Sequence, residues 1–212
     1  MNEHYQLLTE QFISPTSAGA YFCVSGNKDV TSRRVLQLLM MQKKTSNIDV
    51  NELIDKTGLA SEEELFNLLN RMQTLGWLEG KEEQSSAPQG GIEELLPDLL
   101  VGLADSGKAL LADEQGFYLS SQGFPHETAE ELSALSADLS SLYDRHQGLL
   151  KNNLGLETSA WAIVDASGNG QIGFWPLWVG KHRFVLIVKG VPLLNQTVFM
   201  TLIWVLSIRY GE

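Results

Sequence analysis

Only one of the 212 residues, Cys23, is a cysteine, so no disulfide can close within the chain and no thiolate cluster can hold zinc. That composition suits a reducing compartment. Basic residues are also scarce: 15 Lys and Arg stand against 26 Asp and Glu, for a net charge of −11. The deficit is uneven, since residues 1–80 carry 7 basic and 10 acidic side chains, residues 81–150 carry 3 and 13, and residues 151–212 carry 5 and 3. An acidic middle repels phosphate backbones, so nucleic acid is its poorer partner and a basic protein surface its better one.

Signatures of catalysis are missing too. His4, His126, His146 and His182 never form close pairs with carboxylates, which leaves a helix-borne metal site without ligands. No serine sits in a Gly-x-Ser-x-Gly elbow, and Asp144-Arg145-His146 has no kinase signature after it. Gly102-Leu-Ala-Asp-Ser-Gly107-Lys108-Ala109 approaches a phosphate-binding loop, but Ala109 lacks the hydroxyl and Lys108 opens a strand where the motif needs a helix N-terminus. Gly107 reads instead as a helix C-cap. The expectation is a protein that is not an enzyme and uses no cofactor or metal.

Long apolar runs are few. Val191 to Ile208 carries no formal charge over 18 residues, the lower limit for a membrane span. Pro192, Asn195, Gln196 and Thr197 fill its first third, leaving Val198 to Ile208, about 16 Å of helix. The expectation is a helix buried against a sheet, with no membrane association. Glu3, His4, Gln6, Glu10 and Gln11 interrupt the opening residues, unlike a secretory leader, so the chain reads as cytoplasmic.

What is present divides into two parts. Residues 81–91, rich in Glu, Ser, Gly and Pro without apolar period, have linker composition and separate a unit at 31–80 from one at 92–212, with 1–30 as an N-terminal extension. In the first unit, Val35, Leu36, Leu38, Leu39 and Met40 form a helical stripe, and residues 50–57 form a short helix ending at Gly58. Ser61 and Glu64 make a capping box for a third helix carrying Leu65, Leu68, Leu69, Met72 and Leu75, before a strand at Trp77-Leu78-Glu79. This stretch, Leu53-Ile-Asp-Lys-Thr-Gly-Leu-Ala-Ser61 with Leu68 to Leu78, resembles winged helix-turn-helix domains. In DNA-binding members the third helix enters the major groove. Here its first turn is Glu62-Glu63-Glu64, which favours the helix dipole but opposes phosphates, leaving Arg33, Arg34, Lys43 and Lys44 as candidate backbone contacts. Protein contact or dimer support is the expected use.

In the second unit, Ile92 to Leu103 carries an apolar helical stripe, and residues 108–113 and 117–121 form a hairpin around Glu114-Gln-Gly116. From His126 to about Leu150 runs a long helix, with Leu132, Leu135, Leu139 and Leu142 at heptad-like spacing and small Ser133, Ala134, Ser136, Ala137, Ser140 and Ser141 beside them. Small residues let another helix approach closely. Three strands follow, at 159–165, 171–178 and 183–189, then a final helix from about Leu194 to Tyr210. Val185 to Val188 is apolar at every position, as in a central strand with helices on both sides. The aromatic cluster Phe174, Trp175 and Trp178 reads as core.

Residues 92–210 resemble the roadblock family of dynein-light-chain-like domains. Ala109-Leu-Leu-Ala-Asp-Glu-Gln-Gly-Phe-Tyr-Leu-Ser-Ser-Gln-Gly123 and Ala129-Glu-Glu-Leu-Ser-Ala-Leu-Ser-Ala-Asp-Leu139 are similar to its first hairpin and second helix, whereas Phe174-Trp-Pro-Leu-Trp178 is heavier in tryptophan than its fourth strand. The family includes regulators and scaffolds of Ras-like small GTPases. The resemblance implies an α/β/α sandwich with a five-stranded antiparallel sheet. It also implies a homodimer joined through the long helix and the third strand, with Leu132, Ser133, Ser136, Ala137, Ser140, Trp161 and Ile163 as interface candidates. Glu127, Glu130, Glu131 and Asp138 form an acidic helix face, a candidate docking surface for a signalling partner or simply a solvated one. Two other readings stand beside this adaptor: a winged-helix transcription regulator whose second unit dimerises or senses, and a ligand-sensing domain of profilin or PAS type.

Overall fold

The computed structural model describes residues 10–45, 47 and 49–212; the part of the leader reading that concerns residues 1–9 lies outside them. The elements in chain order are β1 (Phe12–Pro15), α1 (Ser17–Val24), α2 (Thr31–Met40), α3 (Val50–Thr57), α4 (Glu62–Thr74), β2 (Leu78–Lys81), α5 (Ile92–Val101), β3 (Ala109–Ala112) and β4 (Tyr118–Gln122). They continue with α6 (His126–Gln147), a π-helical turn (Gly148–Asn153), β5 (Trp161–Val164), β6 (Gly170–Val179), β7 (His182–Lys189) and α7 (Thr197–Tyr210).

Five strands form one antiparallel sheet in the order β4-β3-β7-β6-β5. β7 lies in the middle, and its apolar run is split by strand alternation between two cores. Leu186 and Val188 face a cluster with α5 and α7, while Val185 and Ile187 join Leu110, Ala112, Phe174 and Ala129 under α6. The expected two-sided cover of a central strand is therefore present. The same alternation divides the aromatic cluster: Phe174 packs under α6, and Trp175 packs against the opposite core.

The final helix is apolar all round for a different reason from a membrane segment. α7 buries Phe199, Met200, Leu202, Ile203, Trp204, Val205 and Leu206, because it lies between the sheet with α5 on one side and α1 with α2 on the other. Among the described residues no helix is long and apolar enough to cross a membrane.

Residues 1–30, expected as an extension, instead contribute two elements. Thr16 caps α1 by accepting from Gly19 N at 3.1 Å, and β1 pairs antiparallel with β2 from Phe12↔Lys81 to Pro15↔Leu78. α1 runs hard against the start of β2: a Cβ on Gly19 would stand 2.1 Å from the Trp77 carbonyl oxygen. The linker-like segment is also engaged, since Thr45 N donates to Ser85 O at 2.8 Å and Ala87 N to Lys43 O at 2.9 Å. One apolar cluster runs unbroken from Ala20, Leu36 and Leu65 to Leu96, Leu186 and Ile203. The two sequence-defined units thus share a core.

Candidate functional site

Two observations define the surface of greatest interest. The first is an edge. β5 pairs with β6 on one side only and is the last strand of the sheet, with Ile163 and Val164 exposed at 56% and 55%. An exposed apolar edge strand presents unpaired backbone groups to any second strand that can reach it.

The second is the flank of α6. This helix contacts β4, β3 and β7 and packs over Phe174 of β6, while Ile172 and Trp161 beyond it are only partly covered. Helical spacing puts Leu132, Leu135, Leu139 and Leu142 along the flank beside those two residues. Leu132 and Leu139 share a cluster with Trp161 and Ile172, while Leu135 is exposed at 39%. The cross-strand pairs Trp161↔Phe174 and Ile163↔Ile172 carry the same face out to the edge. Leucine flank, partly covered sheet face and free edge form one apolar surface.

The small-residue stripe behaves otherwise, and here the expectation is corrected. Ser133, Ser136 and Ser140 are 0%, 1% and 5% exposed and point into their own subunit. Serine tolerates that burial because its hydroxyl back-bonds to its own helix: Ser133 Oγ donates to Ala129 O and Ser136 Oγ to Ser133 O, both at 2.7 Å. Ala137 is also engaged within the chain, packing beside the hairpin glycine Gly116, whose added Cβ would lie 3.3 Å from the Ala137 Cβ. The three serines let α6 settle closely on its own sheet, while Ala137, half-buried, lies beside the β3–β4 hairpin. Of the interface candidates, Leu132, Trp161 and Ile163 remain on the open surface.

Glu127, Glu131 and Asp138 project from the outward side of α6, with Glu130 exposed beside them. Against the expectation that no histidine pairs closely with a carboxylate, Glu130 lies 3.4 Å from His126 Nε2, one turn along the same helix, and His126 Nδ1 meets Tyr118 Oη at 2.7 Å. Both partners of that ion pair are well exposed, so it contributes little.

Two of the four cations offered to DNA by the N-terminal half, Arg33 and Arg34, are already in use, whereas Lys43 and Lys44 are exposed. Arg33 is buried and donates to the carbonyls of Phe22 and Lys28, with its guanidinium 4.9 Å from the centre of the Phe22 ring. Arg34 holds Asp29 through two hydrogen bonds of 2.6 and 2.8 Å and donates to Thr57 O; the first of these contacts keeps the Asp29 carboxyl below its usual range. Gly107, at φ +66°, turns the chain between α5 and β3, and its loop is tied down by Asp105 accepting from Val191 N and Ser106 donating to Lys189 O. That is a structural turn rather than a phosphate cradle. Among the described residues no group of three or more His, Cys, Asp or Glu is placed to hold a metal.

No family model matches the chain, and no curated protein matches it. Among solved structures it is similar to a roadblock/LC7 domain from Streptomyces avermitilis, at 12% identity over 57% of this chain and 93% of that one, with a TM-score of 0.36. It is also similar to gliding protein MglB from Thermus thermophilus, at 20% identity over 60% and 96% with a TM-score of 0.37. A third is Myxococcus xanthus MglB, at 15% identity over 58% and 90% with a TM-score of 0.32. These neighbours are roadblock/LC7 domain proteins. The strand order and the placement of helices on both sheet faces carry the fold description.

Proposed function

We propose that the chain is a non-catalytic cytoplasmic adaptor that acts as a homodimer, with a roadblock-like domain at residues 92–212 regulating or scaffolding a Ras-like small GTPase or similar signalling protein. The observation that carries this reading is the apolar surface of exposed Leu135 and Ile163 with the partly exposed Trp161 and Ile172 between α6 and the β5 edge. A second copy placed edge to edge extends the sheet across β5, and its α6 covers the exposed leucine flank. The acidic outward face of α6 then lies on the dimer exterior, suited to a basic partner surface. Residues 31–80, read as winged-helix-like, serve protein contact, and α1 and α2 brace α7.

DNA binding finds little support, with only Lys43 and Lys44 of the four candidate cations exposed and uncommitted among the described residues. Arg33 and Arg34 are committed to carbonyls and Asp29, and the first turn of α4 carries Glu62, Glu63 and Glu64.

Affinity capture with the full chain, its Ile163→Asp variant and its Glu131→Lys variant tests the proposal. A GTPase retained by the native chain and lost by either variant supports it. Equal recovery of the same proteins on all three baits contradicts it.

A further inference from the structure

A semi-enclosed cavity of about 480 Å³ lies between the loop that follows α1, the C-terminal end of α6 and the outer half of β6. Its volume is in the range that small ligands fill. The lining runs against the charge of the whole protein: Lys28, Arg33, Lys151 and Arg183 meet only Asp144 and Glu157, in a chain with 15 basic and 26 acidic residues.

The two guanidinium groups are held in place with donors to spare. Arg183 Nη1 donates to Asp144 Oδ2 at 2.8 Å, and the guanidinium lies 5.3 Å from the Trp178 ring centre. Its Nε is buried without a hydrogen-bond partner among the described residues. Arg33 uses Nε and Nη1 on main-chain carbonyls, so Nη2 is left over. A fixed arginine fork matches phosphate oxygens. Lys28 and Lys151 form no ion pair among the described residues.

We propose that this cavity binds a small phosphorylated ligand. Four cations against two anions leave an excess of two positive charges, which a phosphate ester dianion neutralises and a single carboxylate does not. The cations come in pairs from the two halves of the chain, Lys28 and Arg33 from one and Lys151 and Arg183 from the other. A bound phosphate therefore bridges the halves and stabilises their packing. The lining reaches Glu157 and Ser159, just ahead of β5, but includes none of Leu132, Leu135, Trp161 and Ile163 of the proposed dimer surface.

Isothermal titration of the full chain with inorganic pyrophosphate tests this. The expected result is saturable binding at one site per chain, weakened at least about tenfold by Lys28→Gln or by Arg183→Gln, because each removes a charged contact. Lys28 is exposed, so its variant retains the fold even where Arg183→Gln does not. Pyrophosphate should also raise the thermal midpoint of the native chain. Absence of saturable heat, or unchanged affinity in Lys28→Gln, overturns the proposal.

Discussion

The indole Nε1 of Trp204 donates to the main-chain carbonyl of Gln42 at 2.6 Å, tying the last helix of the chain to the end of α2 across 162 residues of sequence. Ser17 Oγ makes a parallel tie, donating to Gln196 O at 2.8 Å near the other end of α7. With one apolar cluster spanning both halves, unfolding by urea should follow a single transition with coincident fluorescence and circular dichroism curves. Trp204→Phe should lower stability by roughly 1 kcal/mol without changing the slope of the transition. Two resolved transitions would mean that the halves fold independently.

Ser136 provides a second test, because the sequence suggests one role for it and the fold gives it another. As a contact between two protomers, a larger apolar residue there would strengthen association. As a buried residue 1% exposed beneath its own helix, Ser136→Leu should overpack the core and cost about 1–3 kcal/mol. Chemical denaturation of the variant distinguishes the two by the sign of the change.

Arg33 and Arg34 should separate sharply despite being neighbours. Arg33→Ala leaves two carbonyls without their donor and opens space against Phe22, so its denaturation midpoint should fall by the equivalent of roughly 2–3 kcal/mol. Arg34→Ala removes an exposed pair with Asp29 and one donor to Thr57 O, and should cost less than Arg33→Ala. Neither change should reveal or abolish a salt-dependent interaction with duplex DNA, as measured by fluorescence anisotropy.

Cys23 should be chemically silent in the native protein. Burial pushes its thiol up to about 12, with Arg33 pulling back more weakly. Very little thiolate is then present at pH 8, and the sulfur is also out of reach of reagents. Reaction with a disulfide reagent should require denaturant at pH 8, and raising the pH through 10 should not by itself restore the rate of a free thiol. Rapid native reaction would place Cys23 outside the core.

Much of this architecture is legible in the chain. The capping residue Ser61 accepts from Glu64 N at 3.2 Å, as the Ser-x-x-Glu spacing implies, and Glu64 reaches back to Ala60 N at 2.9 Å. The unbroken apolar run of Val185 to Val188 marks a strand covered on both faces because only such a strand has no polar side. Residues 12–24 are harder to read, since α1 is surrounded by α2, α7 and the start of β2 and so shows no polar face from which a helical period stands out. The serines of α6 mislead for a related reason: periodicity reports that Ser133, Ser136 and Ser140 share a side, but not whether that side meets its own sheet or a second molecule. The basic cavity is invisible in sequence because Lys28 and Arg33 lie more than a hundred residues from Lys151 and Arg183.

Multi-angle light scattering of the full chain and of Ile163→Asp, at tens of micromolar, tests the central claim most directly. Ile163 is exposed in a single subunit, so the aspartate should leave the fold intact while placing a charge at the centre of the proposed interface. The native chain should then have twice its 23.5 kDa mass and the variant 23.5 kDa. A native mass of 23.5 kDa, or a dimer indifferent to Asp at position 163, would contradict the account.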